Sequence, residues 1–220
     1  RRQRQMCIRD RIYTMRIDFC KTRDVKSPNR NTKEDAGVDF YIPMCYLKEH
    51  VDITGESYLE YTESSKKFLQ DLRDKNGDRI KIEEPKALGE NLKIWIPIGS
   101  RVLIPSGIKV KIRRGIIRRF LNWMFGLGDA LIANNKSGVA NKKGLVVGSS
   151  VVDYEYQGEV HLSLINTGNE DICIESGEKI VQFIHFPIYL SEYNQIPQFV
   201  YDKFSPSERG KCGFGSSNDK

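Results

Sequence analysis

The chain is punctuated too often to fold into long helices. From Leu92 onward, short runs of β-type residues follow one another. "LKIWIPI" alternates, "RVLIPSGIKVKI" supplies two pieces around Pro105, Ser106 and Gly107, and "ALIAN", "GLVVG", "EVHLSLIN", "ICIE" and "KIVQFIHFPI" continue the series. The polar turns "NKKG", "NTGNED" and "ESGEK" separate them. Such runs form strands because branched apolar side chains fill one face of a pleated sheet, while Gly, Asn, Asp and Ser supply the reversals. Many short strands of this kind predict an all-β sandwich or barrel of jelly-roll type.

Two segments depart from that rhythm. "SYLEYTESSKKFLQDLRDKNG" has Tyr61, Phe68, Leu69 and Leu72 near helical spacing. Ser57 with Glu60 reads as a capping box and Asn76-Gly77 as a stop, so one amphipathic helix inserted between strands is predicted. The second insert, about 113–128, is basic and then apolar, with Trp123, Met124 and Phe125. A local helix packed on the barrel is one reading of it. The other is a partner or subunit contact made by those apolar side chains.

At 220 residues with 39% apolar content, the chain can build one substantial domain or two small ones. A net charge of +6 favours polyanionic partners without choosing among nucleic acid, nucleotide phosphates and acidic surfaces. The basic runs "RRQRQMCIRDR" and "KVKIRRGIIRR" lack interleaved aromatics, so a stacking platform for nucleic acid is not expected. Five cysteines without a C-x-x-C pair predict neither a disulfide framework nor a zinc site. His50, His161 and His185 are scattered and read as half-buried strand residues rather than ligands. The longest apolar run is too short and interrupted to span a bilayer, so no membrane contact and an intracellular, cytoplasmic setting are expected. Residues 1–14 show no periodicity and read as a non-native or disordered extension, with a natural start at Met15.

Within "SSVVDYEYQGEV", Asp153 stands hard against Val151 and Val152. It either caps a turn or is held by an apolar wall for chemistry, and the stretch alone leaves both open. The tail after Pro197 is similarly double. It is a flexible terminus, or an arm in which Arg209 offers a planar donor fork and the glycines around Phe214 let backbone N–H groups approach phosphate.

Five separated pieces now line up. They are "AGVDFYIP" (Ala36 to Pro43), "NKSGVANKKGL" (Asn135 to Leu145), "GSSVVDYEYQGEV" (Gly148 to Val160), "GEKIVQFIHFPI" (Gly177 to Ile188) and "RGKCGFGSS" (Arg209 to Ser217). In this order they resemble the five motifs of the trimeric dUTPase family. The resemblance covers most of the chain from Met15 onward, apart from the two inserts, and the third and fifth motifs are its most specific parts.

The resemblance implies a jelly-roll-like β-barrel with one or two short inserted helices, assembled as a homotrimer that hydrolyses dUTP to dUMP and pyrophosphate with Mg²⁺. It implies a β domain over 15–196, with inserts at about 48–91 and 113–128, and an arm over 197–220 that closes a site shared between chains. Asp153 then activates the attacking water. Tyr156 packs on the deoxyribose and excludes a 2′-hydroxyl. Gly148, Ser149, Ser150, Val151 and Val152, continuing to Gly158, form the hairpin that reads uracil through backbone groups. Lys136, Ser137 and Gly138 contact phosphates, with Gln182 nearby. Arg209 reaches the γ-phosphate, Phe214 lies over uracil, and Gly215 and Ser216 meet phosphates. Asp39 organises the site and the water shell of the metal, which itself sits on phosphates and waters rather than on protein ligands.

General chemistry agrees with these roles. A triphosphate carries close to four negative charges, so Mg²⁺ and cationic side chains are needed before an anionic base can work beside it. A hairpin that hydrogen-bonds uracil leaves mispaired groups against cytosine. Two departures stand out. Lys136 occupies a position where the family usually carries Arg, which keeps the charge and loses the fork, and Cys212 stands where Gly or an acid is common. Two alternatives share the scaffold: a dCTP deaminase-like enzyme, and a regulatory protein whose inserts bind a protein partner. The Arg209 to Ser217 arm, and a hairpin with no matching catalytic Glu, speak against the deaminase.

Overall fold

The strand patterns read from the sequence become strands in the computed structural model, which describes residues 16–201 and residue 203. In chain order these are β1 (Arg16–Lys21), β2 (Val38–Tyr41), β3 (Leu47–Val51), β4 (Ser57–Tyr61), β5 (Lys81–Glu83), β6 (Lys93–Ile96) and β7 (Arg101–Pro105). There follow β8 (Ile108–Arg113), β9 (Leu127–Asn135), β10 (Leu145–Val147), β11 (Val151–Asp153), β12 (His161–Asn166), β13 (Ile172–Glu175) and β14 (Lys179–Tyr189). The helices are α1 (Glu63–Asn76), α2 (Ile116–Phe125), α3 (Ser137–Lys143) and α4 (Gln198–Tyr201). The chain divides into two units, one ending at Tyr189 and one beginning at Leu190; α4 belongs to the second.

The β-rich architecture is as expected, but the barrel is not closed. The strands pair in separate small sheets of order β1-β8, β10-β12-β7, β11-β9-β14-β2, β13-β6-β5 and β3-β4. Apart from β9, of nine residues, and β14, of eleven, the strands run only three to six residues between reversals, which limits each sheet. Gly107, at φ 73°, turns β7 into β8 with no room for a side chain, because a Cβ there would stand 2.6 Å from Arg23 Cγ. The described residues hold four α-helices rather than one or two short ones.

Alternation along the strands builds the core. Ile94 and Ile96 of β6, Ile104 of β7, Leu162 and Leu164 of β12 and Ile174 of β13 are all at most 1% exposed. Burying a side chain of this size stabilises the fold by about 1.5–3 kcal/mol.

The first insert joins this core, but not from the residue expected. Ser57 and Glu60 lie in β4, paired with β3, so they form no capping box. The helix starts one turn later. Thr62 is its N-cap, and its Oγ1 accepts a hydrogen bond from the Ser65 amide at 3.2 Å. The stop at Gly77 is as read. Phe68, Leu69 and Leu72 point inward, and the buried Asn76 side chain locks α1 to β7: its Nδ2 donates to Leu103 O and its Oδ1 accepts from Leu103 N.

The second insert forms α2 with its faces inverted. Asn122 is buried and Arg118 is mostly so, while Ile116, Phe120, Trp123, Met124 and Phe125 are exposed. The polar stripe turns inward because Asp129 on β9 is fully buried beneath it. A buried carboxylate needs charged or hydrogen-bonding partners, and Arg114, Arg118 and Asn122 supply them.

Candidate active site

The described residues expected at the site gather in two places. The first is the hairpin. Gly148 donates its amide to Ser163 O at 2.9 Å, and a Cβ on Gly148 would stand 2.8 Å from Ser163 Oγ. β11 then pairs with β9, placing Asp153 opposite Ala130. The chain turns at once, with the Tyr156 amide donating to Asp153 O at 3.1 Å. Tyr156 folds back over Gly158, its hydroxyl donating to Glu159 O at 2.9 Å. A Cβ on Gly158 would lie 2.3 Å from the Tyr156 hydroxyl, so the glycine is what lets the ring sit there.

Ser149, Val151, Val152, Asp153 and Tyr156 line one cleft of about 190 Å³, together with Leu103, His161 and Phe183. The valine wall is only half as expected. Val152 packs on the core, whereas Val151 is 63% exposed and shares the face of Asp153, because alternate residues of a strand point the same way. His161 was not singled out from the sequence, where a strand histidine carries no signal. Burial lowers its pKa below the usual 6.5, so it is neutral at neutral pH.

A buried arginine braces the far end of the hairpin. Arg23 donates to both oxygens of Glu159, at 3.0 and 2.8 Å, and to Asp71 of α1 at 2.6 Å. Glu159 also accepts the Gly107 amide at 2.6 Å. Burial pushes the Glu159 carboxyl up, but the hydrogen bonds from Arg23 and Gly107 outweigh it and hold the pKa below 4.5.

The second gathering is ionic. Asp39, on β2, is 4% exposed. Lys136, the N-cap of α3, contacts its Oδ1 at 2.5 Å, and Lys179 of β14 lies 3.2 Å from Oδ2 and donates to Asn31 Oδ1 at 2.9 Å. Gln182 pairs with Asp39 across the sheet and donates to Asn135 O at 2.8 Å. A Cβ on Gly37 would meet Gln182 Oε1 at 2.2 Å, so that glycine makes the space the glutamine fills. Ser137 and Gly138 open α3 beside Lys136. Lys179 and Asn31 are additions that the motif reading missed.

Within one chain the hairpin begins beside the ionic gathering, where Val147 N donates to Asn135 Oδ1 at 2.7 Å, but Asp153 stands apart from Lys136. Asn135 ends β9 and Lys136 follows it, whereas Asp153 stands opposite Ala130 within that strand. The separation along β9 is roughly 17 Å at the rise of a strand. A larger cleft of about 430 Å³, lined by Ile17, Phe19, Phe40, Val110, Leu131 and Phe183 among others, contains none of the expected residues. Arg209, Phe214, Gly215 and Ser216 lie outside the described residues, as do residues 1–14 and Cys212.

Among known proteins, the chain is 32% identical over 126 residues to the deoxyuridine 5′-triphosphate nucleotidohydrolase of Pectobacterium carotovorum subsp. carotovorum (strain PC1). The match takes in 56% of this chain and 72% of that protein. The chain belongs to the dUTPase family. The family model described as dUTPase matches residues 129–218, which takes in every motif except the one holding Asp39. Among solved dUTPase structures, a mutant enzyme of Staphylococcus bacteriophage 80alpha with dUpNHpp superimposes with a TM-score of 0.54. It is 20% identical and covers 93% of this chain and 98% of its own. A mutant dUTPase from phage phi11 of S. aureus, described with a structural Mg(II) ion, is 15% identical with a TM-score of 0.50 over 85% of this chain and 99% of its own. These likenesses establish the fold. No helix among the described residues is long and apolar enough to cross a membrane.

Proposed function

We propose that the chain hydrolyses dUTP to dUMP and pyrophosphate, with Asp153 as the general base. The supporting observation is the hairpin cleft of a dUTPase-family chain, where the Asp153 carboxylate takes no hydrogen bond among the described residues and Tyr156 is folded beside it. Asp153 accepts a proton from a water, whose oxygen forms a bond to the α-phosphorus as the bond from that phosphorus to the bridging oxygen breaks. Pyrophosphate leaves with the electron pair. Backbone groups of Gly148 to Gly158 hold uracil, and the Tyr156 ring takes the place a 2′-hydroxyl would need.

Lys136, Ser137, Gly138 and Gln182 receive the phosphates. In that reading the 17 Å along β9 is bridged by assembly: the hairpin of one chain meets the ionic cluster of another in a homotrimer. The arm from Arg209, with Phe214, Gly215 and Ser216, covers the bound nucleotide.

No cluster of metal-ligating side chains occurs among the described residues. Asp39 nevertheless fits a Mg²⁺ carried by the substrate. Its Oδ2 is buried and takes no hydrogen bond, Lys179 lying in ionic contact but outside hydrogen-bond geometry. Flanked by two lysines, it suits the water shell of a phosphate-bound ion better than direct ligation. When bound, the ion would neutralise phosphate charge.

Pyrophosphate release from dUTP, dCTP, dTTP and UTP with Mg²⁺ tests this reading, with turnover expected for dUTP alone. Asp153→Asn should fold and bind dUTP in calorimetry yet lose about two to four orders of magnitude in kcat, because an amide is a poor proton acceptor. A near-normal rate would remove Asp153 as the base.

A further inference from the structure

The residue that follows Asp153 is held by a part of the chain outside all five motifs. Tyr154 is half-buried, and the guanidinium carbon of Arg114 stands 3.6 Å from its ring centroid. Lys111 Nζ lies 5.6 Å from the same ring. At 3.6 Å the guanidinium is in van der Waals contact with the ring face, where stacking and cation–π attraction act together.

Arg114 is not free to move from this position. Its Nε donates to Asp129 Oδ2 at 2.5 Å. The Asp129 carboxylate is itself buried and is further held by Asn122 Nδ2 at 3.1 Å and His185 Nε2 at 3.1 Å, with Arg118 at 3.7 Å. Asp129 precedes Ala130, the strand partner of Asp153. A closed circuit results: Asp153 to Ala130 across the ladder, Ala130 to Asp129 along β9, Asp129 to Arg114 by ion pair, Arg114 to Tyr154 by stacking, and Tyr154 back to Asp153.

We propose that Arg114 is a positioning residue for Asp153, clamping the Tyr154 ring so that the neighbouring carboxylate keeps its placement at the rim of the substrate cleft. The proposal rests on the reading of Asp153 as the base. Asp153 ends a strand of only three residues, and its far side enters a turn. Ladder bonds fix one side of it, and on the other a single turn bond, from the Tyr156 amide to Asp153 O at 3.1 Å, holds the backbone. The Arg114 clamp adds a side-chain hold on that turn side through Tyr154, which packs on the core and does not line the cleft of Asp153.

The test compares kcat and KM for dUTP in wild type, Arg114→Ala, Arg114→Lys, Tyr154→Ser and the Arg114→Ala/Tyr154→Ser double variant, with thermal melting to confirm folding. Each of Arg114→Ala and Tyr154→Ser should lower kcat about tenfold or more, the scale of a misplaced reacting group, with KM within about threefold. The double variant should lose no more than the worse single one, because both remove one contact. Arg114→Lys should stay slow, since it keeps a cation beside Asp129 but loses the planar stack.

Rates within about twofold of wild type in either single variant would overturn the clamp, as would additive losses or full activity in Arg114→Lys. If Arg114→Ala does not fold, Tyr154→Ser decides alone, because it leaves Asp129 paired. A wild type without turnover, or Asp153→Asn at the wild-type rate, would instead sink the base assignment on which the clamp rests.

Discussion

Single residues in this chain are explained by what they leave room for. Gly37 has no strained backbone, yet a methyl group there would overlap Gln182. Gly37→Ala should therefore displace Gln182 and raise KM for dUTP about tenfold, the scale of one lost hydrogen bond to a charged group, while the melting temperature stays within a few degrees. Unchanged KM would remove Gln182 from phosphate binding. Glu159 sets a pH dependence. Its folded pKa lies below the ordinary 4.5, so its contribution to stability is complete above that value and is lost as pH falls through the folded one. Glu159→Gln should flatten the acid limb of a plot of melting temperature against pH. As candidates, Asp153, Tyr156, Asp39, Lys136 and Gln182 were legible in the sequence because the family motifs give each a role, and the structure sets Asp153 with Tyr156 and Asp39 with Lys136 and Gln182. Lys179, although inside a motif, and His161 and Arg114, outside all five, were not legible, since their meaning comes from neighbours distant in the chain: Asn31 and Asp39, the hairpin cleft, and Tyr154.

Among the elements, α1 and α2 reverse the usual expectation for insertions. The sequence leaves α1 open to partner binding, yet its apolar stripe faces inward, with Phe68 and Leu72 completely buried. Phe68→Ala should cost about 3–5 kcal/mol and Thr62→Ala about 1 kcal/mol in urea unfolding. Trp123→Ser on α2 should change stability by no more than about 0.5 kcal/mol, because Trp123 is 80% exposed. A large loss there would mean that the side chain is packed. The helical periods of both inserts were readable. Their orientation was not, because a 3.6-residue period identifies a stripe without saying which stripe faces inward. Only the burial of Asp129, thirteen residues after Ile116, decides it for α2. The start of α1 was misplaced because Ser57 and Glu60 have capping-box spacing, while cross-strand pairing with β3 claims them first.

For the whole molecule, the proposed sharing of a site between chains would make assembly part of the chemistry. Two impaired variants that damage different regions, Asp153→Asn and the double variant Lys136→Ala/Gln182→Ala, assayed at dUTP below the raised KM of the second, should gain activity when co-expressed. Random mixing in a trimer gives about a quarter of the interfaces both intact halves. Recovery no greater than the sum of the parents, in verified mixed assemblies, would place the complete site within one chain. The β-rich character of the fold was legible in its turn spacing, whereas the open arrangement of small sheets depends on register and reversals that no local pattern encodes. The inward-facing polar stripe of α2 carries a last consequence. Replacing Arg114, Arg118 and Asn122 by apolar residues, with the helix kept in place, would leave Asp129 buried with His185 as its remaining partner among the described residues. An uncompensated interior charge of this kind costs about 3–5 kcal/mol. What looks like a detachable appendage is therefore tied to the strand beneath it: its inward polar residues could turn apolar only together with a neutral residue at position 129.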